Sequence, residues 1–414
     1  MLRESDSSKM GAVLKMKYML QPKPLQMPIY MDHNATSPLD PHVVQAMRPF
    51  FEAEFGNASS SSHAYGWQAQ AAVKKAREQV SKLVACRAAD VIWTSGATES
   101  NNLALLGVVR EYCKPGSAGE HPHIITQATE HKAVLEVIEA AEDWGAEVTV
   151  LGVDSNGFVQ VEEIRRAMKP STLMVSIMMA NNEIGTIQPV EEIGRLCKER
   201  GVIFHTDAAQ SVCKFPVDLQ KLSVDMMSMS GHKIYGPKGV GCLIVRKINR
   251  DFNIKSILFG GEQEHGLRPG TLNVPGIVGF GAACEIAGFE MKSECERLYE
   301  FQRRILRRVM DRFPQVKLNG PVENRLCNNI NFSFPDMPAD DLALGLSGVA
   351  YSAGSACNSA SPKPSHVLKA LGLSDALARS TLRLGMGRFT TAEEVDAVTD
   401  KLVKLLGKVY GQPA

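Results

Sequence analysis

Lys233 stands in the run Ser230-Gly231-His232-Lys233-Ile234-Tyr235-Gly236-Pro237-Lys238-Gly239, and His205-Thr206-Asp207 closes an apolar run upstream of it. One lysine and one upstream aspartate are the pair with which pyridoxal phosphate (PLP) is operated. The amine forms a Schiff base with the cofactor, and the acid keeps the pyridine nitrogen protonated so that the ring withdraws electrons. A lysine near its free pKa of about 10.4 is a poor nucleophile unless desolvated or set beside cationic or donor groups. His232 and the apolar stretch before Ser230 offer that setting. The ordinary alternative is a surface lysine in a Gly/Pro turn, and the constellation in the rest of the chain weighs against it.

Gly96-Ala97-Thr98 lies between an expected strand and the helical run Asn101–Val109, so backbone N–H groups and the Thr98 hydroxyl suit a phosphate there. A plain strand-to-helix turn has the same appearance. His131 suits stacking over a cofactor ring and passing protons, although a helix-start histidine facing solvent reads alike. Asn182 and Gln210 are strand-end amides able to donate to a ring hydroxyl oxygen. Arg383, inside the apolar stretch Thr381-Leu382-Arg383-Leu384-Gly385, suits a bidentate grip on an amino-acid carboxylate, with a structural ion pair as the rival. Cys357 is centred in Ser352–Ser361, a small-residue segment suited to movement, where an accessible thiolate can act as nucleophile and then deliver what it has picked up. The other eight cysteines read as inert.

These residues need elements to position them. From about Ile29 to Lys247, short apolar runs alternate with longer helical patterns, the mark of an α/β domain with a mostly parallel sheet. The expected strands are Val91–Thr94, His123–Thr126, Glu147–Leu151, Leu173–Met178, Val202–His205, Val224–Met229 and Gly241–Val245, seven in one sheet. Helical patterns cover Tyr65–Ala85, Lys132–Trp144 and Val190–Arg200. In such sheets ligands sit at the carboxyl ends of strands, where Ser95–Thr98, Glu130-His131, Asn181–Glu183 and Asp207–Gln210 all fall. Later come a charged helix (Glu294–Arg312), a strand (Asn328–Phe334) and a final helix opening on a Thr390-x-x-Glu393 capping box. The expected division is an extension over 1–28, a large domain over 29–290 and a smaller α+β domain over 291–414 that carries the Cys357 loop.

A chain of 414 residues, 44% hydrophobic, can bury a large core. A net charge of +1 gives no broad positive field, so nucleic-acid binding is not expected. Nine scattered cysteines, odd in number and without C-x-x-C, argue against a disulfide framework or a metal site and for a reducing, cytoplasmic setting. No run of about 20 apolar residues suggests a membrane span. Residues 1–28 contain Glu4 and Asp6 and lack an apolar core, so a disordered extension fits them better than a targeting segment.

Taken together, the motifs resemble the cysteine desulfurases, PLP enzymes of the class V aminotransferase group, from about Ile29 to Leu406. They are Tyr30–Thr36, Phe55–Asn57, Thr94–Ser100, Thr129–Val134, Asn181–Gly185, the Lys233 run, Arg268–Thr271 and the Cys357 loop. The resemblance implies the fold type I architecture of the aspartate aminotransferase-like PLP enzymes. It implies that Lys233 carries PLP, Asp207 pairs with the pyridinium nitrogen, His131 stacks on the ring, and Asn182 and Gln210 contact it. It also implies that Ala97, Thr98, Ser230 and His232 hold the phosphate, joined by Thr271 of a neighbouring subunit in a homodimer. Asn34 and Arg383 would bind the substrate, L-cysteine, and Cys357 would take its sulfur as a persulfide for an iron–sulfur scaffold or another acceptor protein. The loop's Ser-Ala-Ser and Pro-Ser-His continuation is similar to the iron–sulfur-supplying branch. Ser37, Ala58 and Asn358 depart from the family pattern, at positions given no role. Selenocysteine lyase and a PLP aminotransferase of the same fold are the alternatives, and a non-catalytic scaffold is a third that intact Lys233, Asp207 and Cys357 argue against.

Overall fold

The computed structural model of the chain describes residues 27–113, 121–353 and 364–411. Strand β1 is Ile29–Tyr30; β2 Val91–Thr94, β3 His123–Gln127, β4 Glu147–Leu151, β5 Thr172–Ser176, β6 Ile203–Asp207, β7 Met226–Ser230 and β8 Gly241–Val245 follow. The last seven form one sheet in the order β2-β8-β7-β6-β5-β3-β4. β8 runs antiparallel to both neighbours and every other pair is parallel. β3, β5, β6 and β7 are buried along their whole length, as strands covered on both faces must be, whereas the edge strand β4 is partly exposed. The seven-stranded, mostly parallel sheet agrees with the sequence reading.

A second, antiparallel sheet contains β9 (Lys317–Leu318), β10 (Asn329–Ser333), β12 (Ser352–Ala353) and β13 (Thr381–Gly385) in the order β12-β13-β10-β9. β1 pairs in parallel with β11 (Val349–Ala350). One core gathers under the large sheet around Trp93, Phe204 and Phe280; another gathers around Ile330, Phe332 and Leu402 with Ile29 and Met31.

The Val274–Met310 helix enters both cores, Val274 to Ala287 in the first and Cys295 to Val309 in the second. The expected helix over Glu294–Arg312 is therefore only its second half, and residue 290 marks no break in it. Its length and hydropathy meet the requirements of a membrane span, but half of its apolar window is buried inside the protein, where it packs as a core helix. The final helix, Ala392–Tyr410, corrects the expected capping box by one residue: Thr391 Oγ1 accepts from Glu394 N and Glu394 Oε2 accepts from Thr391 N. Thr390 is instead held by the preceding turn, its Oγ1 accepting from Gly387 N.

Candidate active site

Parallel strands deliver their last residues to one edge of the sheet, and the expected site residues collect there. Asp207 ends β6, Ser230 ends β7, His131 follows β3 and Asn182 follows β5. Thr94 ends β2 level with Ser230, each opposite Gly241 of β8. A Cβ on Gly241 would come within 2.6 Å of Gly96 Cα, so only glycine lets the Gly96 turn close over the sheet edge.

From that turn rises the Ala97–Tyr112 helix, which begins four residues earlier than the sequence pattern suggested. Its N-cap, Gly96, makes no side-chain capping bond. The N–H groups of the first turn have no carbonyl within the helix to bond and carry the positive end of its dipole. Ser230 Oγ lies 3.8 Å from the place a Gly96 Cβ would occupy, so its hydroxyl borders this cradle. His232 lies one turn on, its Nδ1 3.0 Å from Thr36 Oγ1. Burial, then the positive charges of Lys233 and Lys238, lower the His232 pKa to about 4, which makes it a neutral hydrogen-bonding group.

Asp207 is buried, and its orientation is fixed by a residue the sequence did not point to. Asn101 Nδ2, on the same helix, donates to Asp207 Oδ2 at 2.7 Å, while Ala209 N donates to Oδ1 at 2.9 Å. Asn101 Oδ1 is itself buried without a hydrogen-bond partner among the described residues. The Lys233 amine donates to the carbonyls of Asn34 and Ala35 at 2.6 and 2.7 Å. Gln210 Nε2 donates to the same Asn34 carbonyl at 2.8 Å, so Asn34, Gln210 and Lys233 form one cluster. Ser37, given no role above, donates to the His232 carbonyl at 2.7 Å and accepts from Tyr235 N at 2.9 Å. The departure at this position therefore keeps a hydroxyl that clamps the Lys233 turn.

His131 caps the Lys132–Asp143 helix, its Nδ1 accepting from Ala133 N at 3.1 Å, which leaves the hydrogen on Nε2. Burial by the surrounding protein lowers its pKa, with Asp207 opposing the shift and Lys233 adding to it. Glu130 beside it is fully buried, and burial raises its carboxyl to about 8.

Arg383 makes the structural ion pair that rivalled a substrate contact. Nη2 donates to Asp32 Oδ1 at 2.8 Å and to Ser352 Oγ at 2.7 Å, and Nη1 donates to the Asn182 carbonyl at 3.2 Å. The ion pair thus exists, while its Nε is buried without a partner among the described residues. Asn329 Nδ2, within 3.4 Å of Asn34 Oδ1, ties the second sheet to the site. Thr271 stands apart from this cluster, exposed on the loop before the Val274–Met310 helix, whose Arg268 pairs with Glu99 of the cradle helix at 2.8 Å. Cys357 lies outside the described residues. The other eight cysteines are free, and burial pushes Cys213 up to about 11 and Cys86 to about 12. Cys295 departs from that pattern, because a hydrogen bond from Cys327 lowers its pKa.

An uncapped helix N-terminus bordered by a serine, a buried carboxylate and a lysine amine form a donor set that fits a phosphorylated, electron-withdrawing ring. The chain belongs to the class-V aminotransferase family, whose model matches residues 29–398. Within that family it resembles curated cysteine desulfurases. It is 46% identical to the cysteine desulfurase IscS of Anaeromyxobacter dehalogenans over 90% of this chain and 91% of that one. The human cysteine desulfurase is 45% identical over 92% of this chain and 82% of its own length. Among solved structures, a NifS-like protein superposes with a TM-score of 0.83 at 36% identity, covering 92% of this chain and 99% of the other. A structure described as SspA in complex with cysteine gives 0.76 at 36% identity, covering 87% and 99%.

Proposed function

We propose that this chain is a PLP-dependent cysteine desulfurase that converts L-cysteine to L-alanine and takes the sulfur on Cys357. The observation that carries the reading is the meeting of Lys233, Asp207 and the uncapped Ala97–Tyr112 helix at one sheet edge. PLP, when bound, supplies an electron sink for the α-carbon of an amino acid. Lys233 would hold it and would serve as the base for the α-proton; Asp207, fixed by Asn101, would pair with its pyridine nitrogen. Ala97, Thr98, Ser230 and His232 would hold the phosphate, His131 would stack on the ring, and Asn182 and Gln210 would contact it. Asn34 and Arg383 bind the substrate carboxylate end. The Cys357 thiolate attacks the substrate sulfur, the substrate carbon–sulfur bond breaks as the sulfur–sulfur bond forms, and a proton at the carbon completes alanine. The persulfide then passes to an iron–sulfur scaffold or another acceptor protein.

The reading includes a homodimer in a cytoplasmic, reducing setting. Phe51, Phe55, Tyr65 and Trp67 are 65, 67, 50 and 56% exposed, and Trp67 lines a surface groove together with Leu272, the neighbour of Thr271. A face of this kind with Thr271 on its rim suits a second copy that lends its threonine to the phosphate. The domain division at about residue 290 belongs to the same proposal, with the Val274–Met310 helix joining the two cores.

The test is release of alanine and sulfide from L-cysteine with a reductant, in the intact protein and in Cys357→Ala, while PLP absorbance is followed. Activity lost with the chromophore retained supports the sulfur-acceptor role. Unchanged activity in the variant refutes it.

A further inference from the structure

The Pro-Ser-His run at 364–366, which the mechanism above leaves without a task, lies against the two loops that carry His131 and Asn182. Ser365 Oγ donates to Glu183 Oε2 at 2.6 Å and accepts from Leu368 N at 3.3 Å, so it caps the His366–Ala370 helix and ties it to the wall of the site. His366 Nε2 lies 2.9 Å from the carbonyl oxygen of Glu130. A carbonyl only accepts, so Nε2 carries the hydrogen. The Glu130 side chain anchors the same turn from below: its Oε1 accepts from Met178 N at 2.6 Å and from Gln127 Nε2 at 3.0 Å. His131 is the next residue, and among the described residues its ring is held by the bond from Ala133 N in its own helix. The position of that ring over the site therefore depends on the Glu130–His131 backbone, which His366 pins from the opposite side.

We propose that His366 is a positioning residue for His131: by donating Nε2–H to the Glu130 carbonyl it fixes the turn from which the His131 ring projects, and so supports turnover more than substrate binding. This rests on the reading of His131 given above. The charged groups that face His131 are Asp207 from β6, Glu183 from the loop after β5, Lys233 from the turn after β7 and His366 itself. Asp207 and Glu183 favour the protonated ring, whereas Lys233 and His366 oppose it.

Two variants of the PLP-loaded enzyme separate the hydrogen bond from the bulk of the side chain. His366→Phe keeps the ring and deletes the donor; His366→Gln keeps a donor of similar reach. The loss of one hydrogen bond lowers kcat of His366→Phe about five- to tenfold, with KM within about twofold. His366→Gln restores kcat to within about twofold of wild type. The second readout is the His131 imidazole signal in protein labelled at histidine, assigned by its absence in His131→Gln. It is displaced in His366→Phe and close to wild type in His366→Gln. Wild-type turnover in His366→Phe overturns the proposal, as do equal losses in the two variants or an unmoved His131 signal. If the wild-type protein proves inactive on L-cysteine, the functional reading falls, and the imidazole signal alone still decides the role of His366.

Discussion

Glu130 carries a carboxyl that burial holds in its neutral form. Oε1 accepts two hydrogen bonds, while Oε2 is buried without a partner among the described residues. Burial, with a smaller contribution from Asp207, raises its pKa from an ordinary 4.5 to about 8 despite those bonds. The folded state then binds a proton that the unfolded chain gives up, so this group costs stability as pH rises from 4.5 to about 8 and adds no further loss above that. The slope is at most about 1.4 kcal/mol per pH unit. Glu130→Gln keeps the shape and removes the titration, so its stability relative to wild type should climb across that window. Urea unfolding of both proteins at pH 5, 6.5 and 8 checks this, and parallel pH dependences would refute it. Lys233, Asp207 and Cys357 were legible in the sequence because their types, in short motifs, are rare unless chemistry needs them. Asn101, Glu130 and His366 were not singled out for any role of their own. Each acts through a partner distant in sequence, as Asn101 does on Asp207 and His366 on Glu130, and no local pattern records such a pairing.

At the scale of elements, the large sheet was legible because its strands are short apolar runs set between helical patterns, and all seven overlap the expected runs, their ends shifted by up to two residues. The Val274–Met310 helix was half hidden, because its first part carries glycines that lower helix propensity. Packing explains at least one of them: a Cβ on Gly281 would come within 2.6 Å of Ala76 Cα, on the Ala64–Leu83 helix that lies against it. Wholly illegible was the charge cluster this helix organises. Glu294 accepts from Lys214 Nζ at 3.0 Å, Arg388 Nε at 2.9 Å and Tyr235 OH at 2.8 Å, and Arg388 Nη1 reaches Asp40 Oδ2 at 2.8 Å, all of them buried. Burial alone would raise the Glu294 pKa; Lys214, Arg388 and the hydrogen bonds overcome it and hold the group at about 2. Its contribution to stability is therefore present above an ordinary 4.5 and lost as pH falls towards 2. Glu294→Gln leaves two buried cations short of a partner and should cost about 3–5 kcal/mol at neutral pH. In urea unfolding that deficit should shrink between pH 5 and pH 3; a deficit independent of pH would show that shape, not charge, is what Glu294 supplies.

For the whole molecule, the exposed aromatics Phe51, Phe55, Tyr65 and Trp67 are the ground for the proposed pairing of two copies. Thr271 is exposed on its loop, and the proposed pairing would bring it to the phosphate cradle of a second copy. If two copies pair in this way, assembly and cofactor retention are linked, because anything that binds only the paired state stabilises the pairing in turn. Trp67→Glu sets a charge among these exposed aromatics, while the residue's exposure keeps the cost to the single chain small. Loss of a buried aromatic anchor weakens association by about 30-fold or more. Sedimentation velocity at micromolar protein should then give a wild-type species at twice the 45.1 kDa chain mass and a variant at the chain mass. Thr271→Ala should leave the mass doubled and yet release PLP faster on dilution, since it removes a phosphate contact without altering the exposed aromatics. A wild-type protein that sediments as a single chain with PLP bound would refute the pairing. A monomeric Trp67→Glu that retains PLP as firmly as wild type would refute the link, leaving the cradle to be completed from within one chain.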